Sequence, residues 1–198
     1  MILPNQLTVL RIILTPIFLF FFLYENQVLK EISLIVFLVA ALTDWYDGWL
    51  ARKFNYITSW GKFWDPLADK ILTSSAFFGF AMVGLIANWM VWIIILRDLL
   101  ITLLRVYSDY RGFSFRTSVY AKIKTVLQMI FLYYLLIFFV LSKNDWFQAN
   151  FSNVISLLLD EDLLFFLSLF ITAITFFTGL QYIFANKNLI KKLFQIEN

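Results

Sequence analysis

Six long apolar segments constrain the fold of this chain more than any other feature of its 198 residues. They cover residues 7–24, 32–42, 71–87, 89–104, 126–141 and 163–185. All but the second approach the ~20 residues that a helix needs to cross a bilayer. Hydrophobic residues make up 62% of the chain and charged residues only 15%, which is unlike a soluble domain. We therefore predict an all-α integral membrane protein of six transmembrane helices, with residues 1–198 forming one domain.

The second segment is too short to span a membrane alone. It reaches the required length only when the helix is extended to Leu50, and this extension includes Asp44 and Asp47. Ionisable groups at membrane depth are costly and usually line a polar cavity. The forced inclusion of two aspartates is therefore the first indication of a functional site.

The basic residues predict the orientation. Of the 16 lysines and arginines, all but Lys30 and Lys143 fall on the side that also holds both termini. By the positive-inside rule this side is cytoplasmic. Residues 186–198 combine three lysines with apolar residues, so we expect a basic interfacial tail, with a solvated chain end as the alternative.

Four aspartates are spaced so that they can converge. Asp44 and Asp47 are three residues apart and Asp65 and Asp69 four apart, so each pair shares a face of a helix. The sequence Asp65-Pro66 is typical of a helix start, with Asp as N-cap. Four unpaired carboxylates would repel one another, and a hard cation, Mg²⁺ or Mn²⁺, would relieve that repulsion. The alternative is a solvated connection with ordinary salt bridges.

The composition limits the chemistry that such a site can perform. The chain has no Cys and no His, so a proton must be taken by a carboxylate, Lys or Tyr. Gly48 and Ala51 lie beside the aspartates, where their small size lets a flat group or a phosphate approach the backbone. Arg52 adds a guanidinium that matches a phosphate.

These residues form a pattern at fixed spacing. The pattern Asp44-x2-Asp47-Gly48-x2-Ala51-Arg52-x8-Gly61-x3-Asp65-x3-Asp69 resembles the signature of the CDP-alcohol phosphatidyltransferase family. The segments Leu3-Pro4-Asn5-x-Leu7-Thr8-x2-Arg11, Asp65-Pro66-Leu67-Ala68-Asp69-Lys70 and Lys122-x-Lys124-Thr125-x2-Gln128 resemble its bacterial phosphatidylglycerophosphate synthase branch. One departure is Asp98, where these synthases more often have Glu.

The resemblance implies a fold, a reaction and residue roles. It implies a six-helix, usually dimeric enzyme of the bacterial inner membrane, with its active site facing the cytoplasm and no nucleic-acid partner. The implied reaction displaces CMP from CDP-diacylglycerol with a second alcohol in the presence of Mg²⁺ or Mn²⁺. Asp65 and Asp69 would be catalytic, with Asp69 taking the proton of the attacking hydroxyl. The implied metal ligands are Asp44, Asp47, Asp65 and Asp69. The residues implied to bind the CDP-lipid are Asp44, Asp47, Gly48, Ala51, Arg52 and Gly61.

A second, basic cluster indicates the acceptor. Arg97 lies about nine residues into the fourth segment and needs an anion there, either Asp98, the aspartate cluster or a substrate phosphate. The cations near the predicted site favour a phosphate-bearing acceptor, sn-glycerol 3-phosphate. Snorkelling of Lys122 to the membrane surface is the simpler alternative for that residue. The residues expected to bind the acceptor phosphate are Arg97, Arg105, Lys122, Lys124 and Thr125.

Other functions compete with this interpretation. Within the family, a cardiolipin synthase would use phosphatidylglycerol as acceptor, and phosphatidylinositol-phosphate or phosphatidylserine synthases follow. Lys124 argues against the first, since those synthases more often have Asn there. A small cation transporter with intramembrane aspartates would distribute its acids across the membrane, whereas the four motif aspartates lie on one side.

The predicted orientation can be tested by labelling. Because the chain has no cysteine, single-Cys variants at positions 111 and 145 can be treated with an impermeant thiol reagent in intact cells. We expect position 145 to react and position 111 to react only after permeabilisation. Labelling of position 111 but not 145 in intact cells would reverse the orientation.

Overall fold

The regular structure of the described residues is entirely α-helical. A computed structural model of the chain describes residues 3–54, 59–113, 115 and 118–195, without the side chains of residues 3–5, 45, 47, 50–52, 54, 59–60, 62 and 194–195. The helices are α1 (Leu3–Leu23), α2 (Gln27–Phe54), α3 (Ser59–Met82), α4 (Asn88–Tyr110), α5 (Val119–Leu141), α6 (Asp145–Leu158), α7 (Glu161–Ala185) and α8 (Lys187–Gln195).

The second helix has the extension that the sequence analysis required. Helix α2 runs to Phe54, so Asp44 and Asp47 both lie within it. The predicted start of the third helix was wrong, because α3 begins at Ser59 and contains Pro66 in its interior. Asp65 is therefore a residue of the second helical turn and not an N-cap. A proline has no backbone N–H and so removes one hydrogen bond from a helix. A membrane-spanning helix can tolerate this loss when neighbouring helices satisfy the freed backbone group.

Three helices among the described residues are long and apolar enough to cross a membrane, namely α1, α5 and α7. Helices α2, α3 and α4 have 28, 24 and 23 residues. At 1.5 Å per residue they are each longer than the ~30 Å hydrocarbon core of a bilayer. Helices α2, α3 and α4 are less apolar than α1, α5 and α7, because the aspartates and arginines of the predicted site lie on them.

The two remaining helices, α6 and α8, are short. Helix α6 was not predicted; it begins at an N-cap, where the Asn144 side chain accepts hydrogen bonds from the backbone N–H groups of Trp146 and Phe147. Helix α8 occupies the predicted amphipathic tail. Its residues Leu189 and Ile190 pack against a small apolar cluster of the chain itself.

The apolar core and the polar residues of the predicted site occupy opposite ends of the helix bundle. Buried aromatic side chains come from the end of α1, the first half of α2, the end of α3 and the end of α5, and are represented by Phe22, Phe37, Phe80 and Phe139. Phe22 contacts the rings of Phe80 and Phe139 at centroid distances of 5.6 and 5.2 Å. This packing fixes the helices at one end and leaves the other end for charged side chains.

Candidate functional site

Helix α1 supplies the partners of two predicted metal ligands. The Arg11 guanidinium lies 2.7 Å from an Asp44 carboxylate oxygen, and the Thr8 hydroxyl donates a hydrogen bond of 2.5 Å to Asp65. Arg11 is fully buried, whereas the Asp44 side chain is 46% exposed. The buried arginine therefore anchors a carboxylate that a ligand can still reach.

Three of the four motif aspartates are close enough to interact electrostatically. The carboxylates of Asp65 and Asp69 both lie near enough to that of Asp44 for their negative charges to repel it. Within the described residues, no three acidic side chains are arranged as a metal-binding group. The predicted residues Asp47, Ala51 and Arg52 have side chains outside the described part of the chain.

These carboxylates match a hard divalent cation in their chemistry. Asp44, Asp65 and Asp69 offer only oxygen atoms, which Mg²⁺ and Mn²⁺ prefer. Both predicted glycines of the CDP-lipid site, Gly48 and Gly61, lie on the helices that carry these aspartates. Their donor atoms therefore suit a hard cation better than a metal that needs nitrogen or sulfur ligands.

A second ionic cluster surrounds Asp98 on α4. Asp98 is 4% exposed and accepts hydrogen bonds from the Lys124 ammonium, from Gln128 at 3.1 Å and from Arg97 at 3.0 Å. The Lys70 ammonium lies 4.0 Å from Asp98 and 3.4 Å from Asp69. Asp98 is thus an anion that Arg97 contacts, and Lys70 connects this cluster to the motif aspartate Asp69.

A cavity of about 460 Å³ opens beside this cluster. Four of the five residues predicted to bind the acceptor phosphate line it, namely Arg97, Arg105, Lys122 and Thr125. Its wall also includes Asp69, so the last aspartate of the motif faces the same space as the cations. The cavity can therefore hold an anion beside a carboxylate.

The fifth predicted residue, Lys124, has a different position. It is 1% exposed and its ammonium donates to Asp98. In the described structure Lys124 neutralises the charge of the buried Asp98 carboxylate. It does not line the cavity, but Asp98, which it contacts, and Arg97 do.

Several residues of the site were not assigned a role from the sequence. Thr8, Arg11, Lys70 and Gln128 lie within the segments that carry the resemblance, so their motifs were a usable signal. Tyr182 of α7 also lines the cavity, and its hydroxyl lies next to Arg105 without full hydrogen-bond geometry. No motif or spacing distinguishes Tyr182 from the other aromatic residues of α7.

The Asp98 cluster predicts a large effect on stability. Asp98→Asn leaves Lys124 buried without its counter-charge, and breaking a buried ion pair in this way typically costs about 3–5 kcal/mol. We expect the free energy of unfolding of purified protein in detergent to fall by that amount. Asp109→Asn changes an exposed carboxylate on the same helix and should have little effect. Equal stability of the two variants would show that Asp98 does not hold α4 and α5 together.

Comparison with known proteins agrees with this geometry. The family model for CDP-alcohol phosphatidyltransferase matches residues 1–160. A Bacillus subtilis protein is 39% identical over 140 residues, covering 65% of this chain and 72% of the relative. A Rickettsia typhi protein is 31% identical over 173 residues, covering 87% and 92%, and a Salmonella paratyphi A protein is 36% identical over 142 residues, covering 67% and 75%. All three relatives are named CDP-diacylglycerol–glycerol-3-phosphate 3-phosphatidyltransferase. The aspartate pattern, the charged helices around it and this match together show that the chain is an enzyme of the CDP-alcohol phosphatidyltransferase family.

Proposed function

We propose that this enzyme transfers the phosphatidyl group of CDP-diacylglycerol to sn-glycerol 3-phosphate, which yields phosphatidylglycerophosphate and CMP. The observation that carries the proposal is the position of Asp69. Its carboxylate interacts electrostatically with Asp44, and it also lines the cavity that contains Arg97, Arg105 and Lys122. A carboxylate between an acidic cluster and a cation-lined cavity is suited to join two phosphorylated substrates.

The acidic cluster would bind the CDP-lipid. The family generally uses divalent metal ions. Asp44, Asp47, Asp65 and Asp69 would hold such an ion, which supplies charge neutralisation at a diphosphate. Arg11 and Thr8 fix the carboxylates of Asp44 and Asp65, because each already contacts one of them. Gly48, Ala51, Arg52 and Gly61 would contact the cytidine and its phosphate.

The cation-lined cavity would bind glycerol 3-phosphate. Arg97, Arg105 and Lys122 offer the donors that a phosphate accepts, and charge-assisted hydrogen bonds of this kind are the strong ones. Asp69 would then receive the proton of the attacking hydroxyl, since the chain offers no histidine for this role. The hydroxyl oxygen bonds to the lipid-bearing phosphorus, the bond between the two phosphates breaks, and CMP leaves.

The same proposal includes the setting of the enzyme. We infer six membrane-spanning helices, α1 to α5 and α7, with both termini and the site on the cytoplasmic side of the cell membrane. The positive-inside distribution of lysines and arginines supports this orientation. We also propose that the enzyme acts as a homodimer, as the resemblance implies. A cardiolipin synthase that accepts phosphatidylglycerol is the alternative function.

The acidic cluster predicts a dependence on metal. EDTA should abolish the release of CMP from CDP-diacylglycerol, and Mg²⁺ or Mn²⁺ should restore it. Asp65→Asn and Asp69→Asn should each lower kcat by about 10²-fold or more, because each removes a carboxylate that acts on the developing charge. Glu25→Gln, an exposed change at the other end of the bundle, is the control. Near-normal turnover by the folded aspartate variants would refute the role of this cluster.

The acceptor cavity predicts a selective change in KM. Removal of one charge-assisted contact costs about 1.5–3 kcal/mol, or roughly 10- to 150-fold in affinity. We expect Arg105→Ala and Lys122→Ala to raise the KM for glycerol 3-phosphate by this factor, with little change in the KM for CDP-diacylglycerol. Lys143→Ala, remote from the cavity, should change neither constant. If wild-type protein prefers phosphatidylglycerol over glycerol 3-phosphate, the cardiolipin synthase alternative is correct.

A further inference from the structure

Helix α7 forms the surface against which Arg97 packs. The Arg97 side chain is 14% exposed, and it leaves α4 toward residues of α7 that carry no charge. Its Nη2 donates a hydrogen bond of 3.1 Å to the Thr178 hydroxyl, while its Nη1 donates to Asp98 at 3.0 Å. The guanidinium is therefore fixed from two sides, by a carboxylate on its own helix and by a hydroxyl on another.

The next residue, Gly179, leaves the space for the stem of Arg97. A Cβ atom at position 179 would lie 2.9 Å from the Cγ of Arg97 and 3.3 Å from its Nε. The 2.9 Å contact is shorter than real Cβ contacts, so a side chain at position 179 would force the arginine stem to move. Cγ is close to the backbone of α4, and the far end of the side chain is held by Asp98 and Thr178, so the stem has little freedom to adapt.

We propose that the Thr178–Gly179 pair positions Arg97 for the acceptor. Gly179 determines the path of the arginine stem, and Thr178 determines the rotation of the guanidinium, so that Arg97 lines the cavity. Thr178 is itself oriented, because its hydroxyl donates to the carbonyls of Ile174 and Thr175. The identity of the acceptor rests on the function proposed above, whereas the positioning of Arg97 does not.

The pair lies in a part of the chain that no motif covers. The family match ends at residue 160 and the resembling segments end at Gln128, so nothing in them assigns a role to α7. The inferred role therefore extends the acceptor site to a helix that carries none of the predicted site residues.

Gly179→Ala is the first test, with Gly79→Ala as the matched control. A Cβ at position 79 would lie 3.0 Å from the Cδ1 of Phe22 in the apolar core, so both variants add a methyl group at a close helix contact. We expect Gly179→Ala to raise the KM for glycerol 3-phosphate about 10-fold, with the KM for CDP-diacylglycerol unchanged. Gly79→Ala should lower the melting temperature and leave both constants unchanged.

Thr178→Val is the second test, and it keeps the side-chain volume while removing the hydroxyl. Thr178→Val should raise the KM for glycerol 3-phosphate, whereas Thr178→Ser, which keeps the hydroxyl, should have the wild-type KM. Thr175→Val is the control, because the Thr175 hydroxyl is buried one turn away and makes no hydrogen bond to any described residue. Equal kinetics of Thr178→Val and Thr175→Val, or failure of Thr178→Ser to restore the wild-type KM, would overturn the proposal.

A thermal double-mutant cycle separates this proposal from the proposed function. Gly179→Ala should lower the melting temperature of the wild type but not of Arg97→Ala, where the stem is absent and alanine favours a helix. An equal effect in both backgrounds would overturn the positioning of Arg97. If wild-type protein does not turn over glycerol 3-phosphate, the proposed function fails, and the cycle still decides whether position 179 acts on Arg97.

Discussion

The pairing of charges away from water governs the arrangement of the polar end of the bundle. A buried ion without a partner is far more costly than a buried ion pair with good geometry. Arg11 is fully buried and meets Asp44, and Lys124 is almost fully buried and meets Asp98. Each pair joins two helices that are consecutive in the chain. The charges that the site needs are thus also the contacts that hold α1 to α2 and α4 to α5.

Much of the helical framework could be predicted from hydropathy, because a membrane-spanning helix needs a minimum apolar length. That requirement correctly extended α2 through Asp44 and Asp47. It was less informative where local signals competed with packing. The sequence Asp65-Pro66 resembles a helix start, yet α3 begins at Ser59 and contains Pro66 in its interior. Helix α6 was missed because its mixed polar and apolar residues show no spanning length.

The candidate site, like the fold, was predicted only in part from the sequence. Spacing along one helix indicated which aspartates share a face, and the cluster of cations indicated an anion-binding cavity. The network around Asp98 could not be predicted in detail, since Lys124 and Gln128 reach it from another helix. Thr178 and Gly179 gave no signal at all, because a hydroxyl and a missing side chain matter only once Arg97 is known to lie against them.

The ammonium of Lys70 lies between the aspartate cluster and the cation-lined cavity. It is within 4.0 Å of the carboxylates of both Asp69 and Asp98. Unit charges at such a separation interact by about 4 kcal/mol at an effective dielectric constant near 20. A ligand that changes the charge at the aspartate cluster therefore also changes the potential in the cation-lined cavity. Such a coupling is reciprocal by thermodynamic necessity, so each substrate alters the affinity for the other by the same factor, whichever binds first.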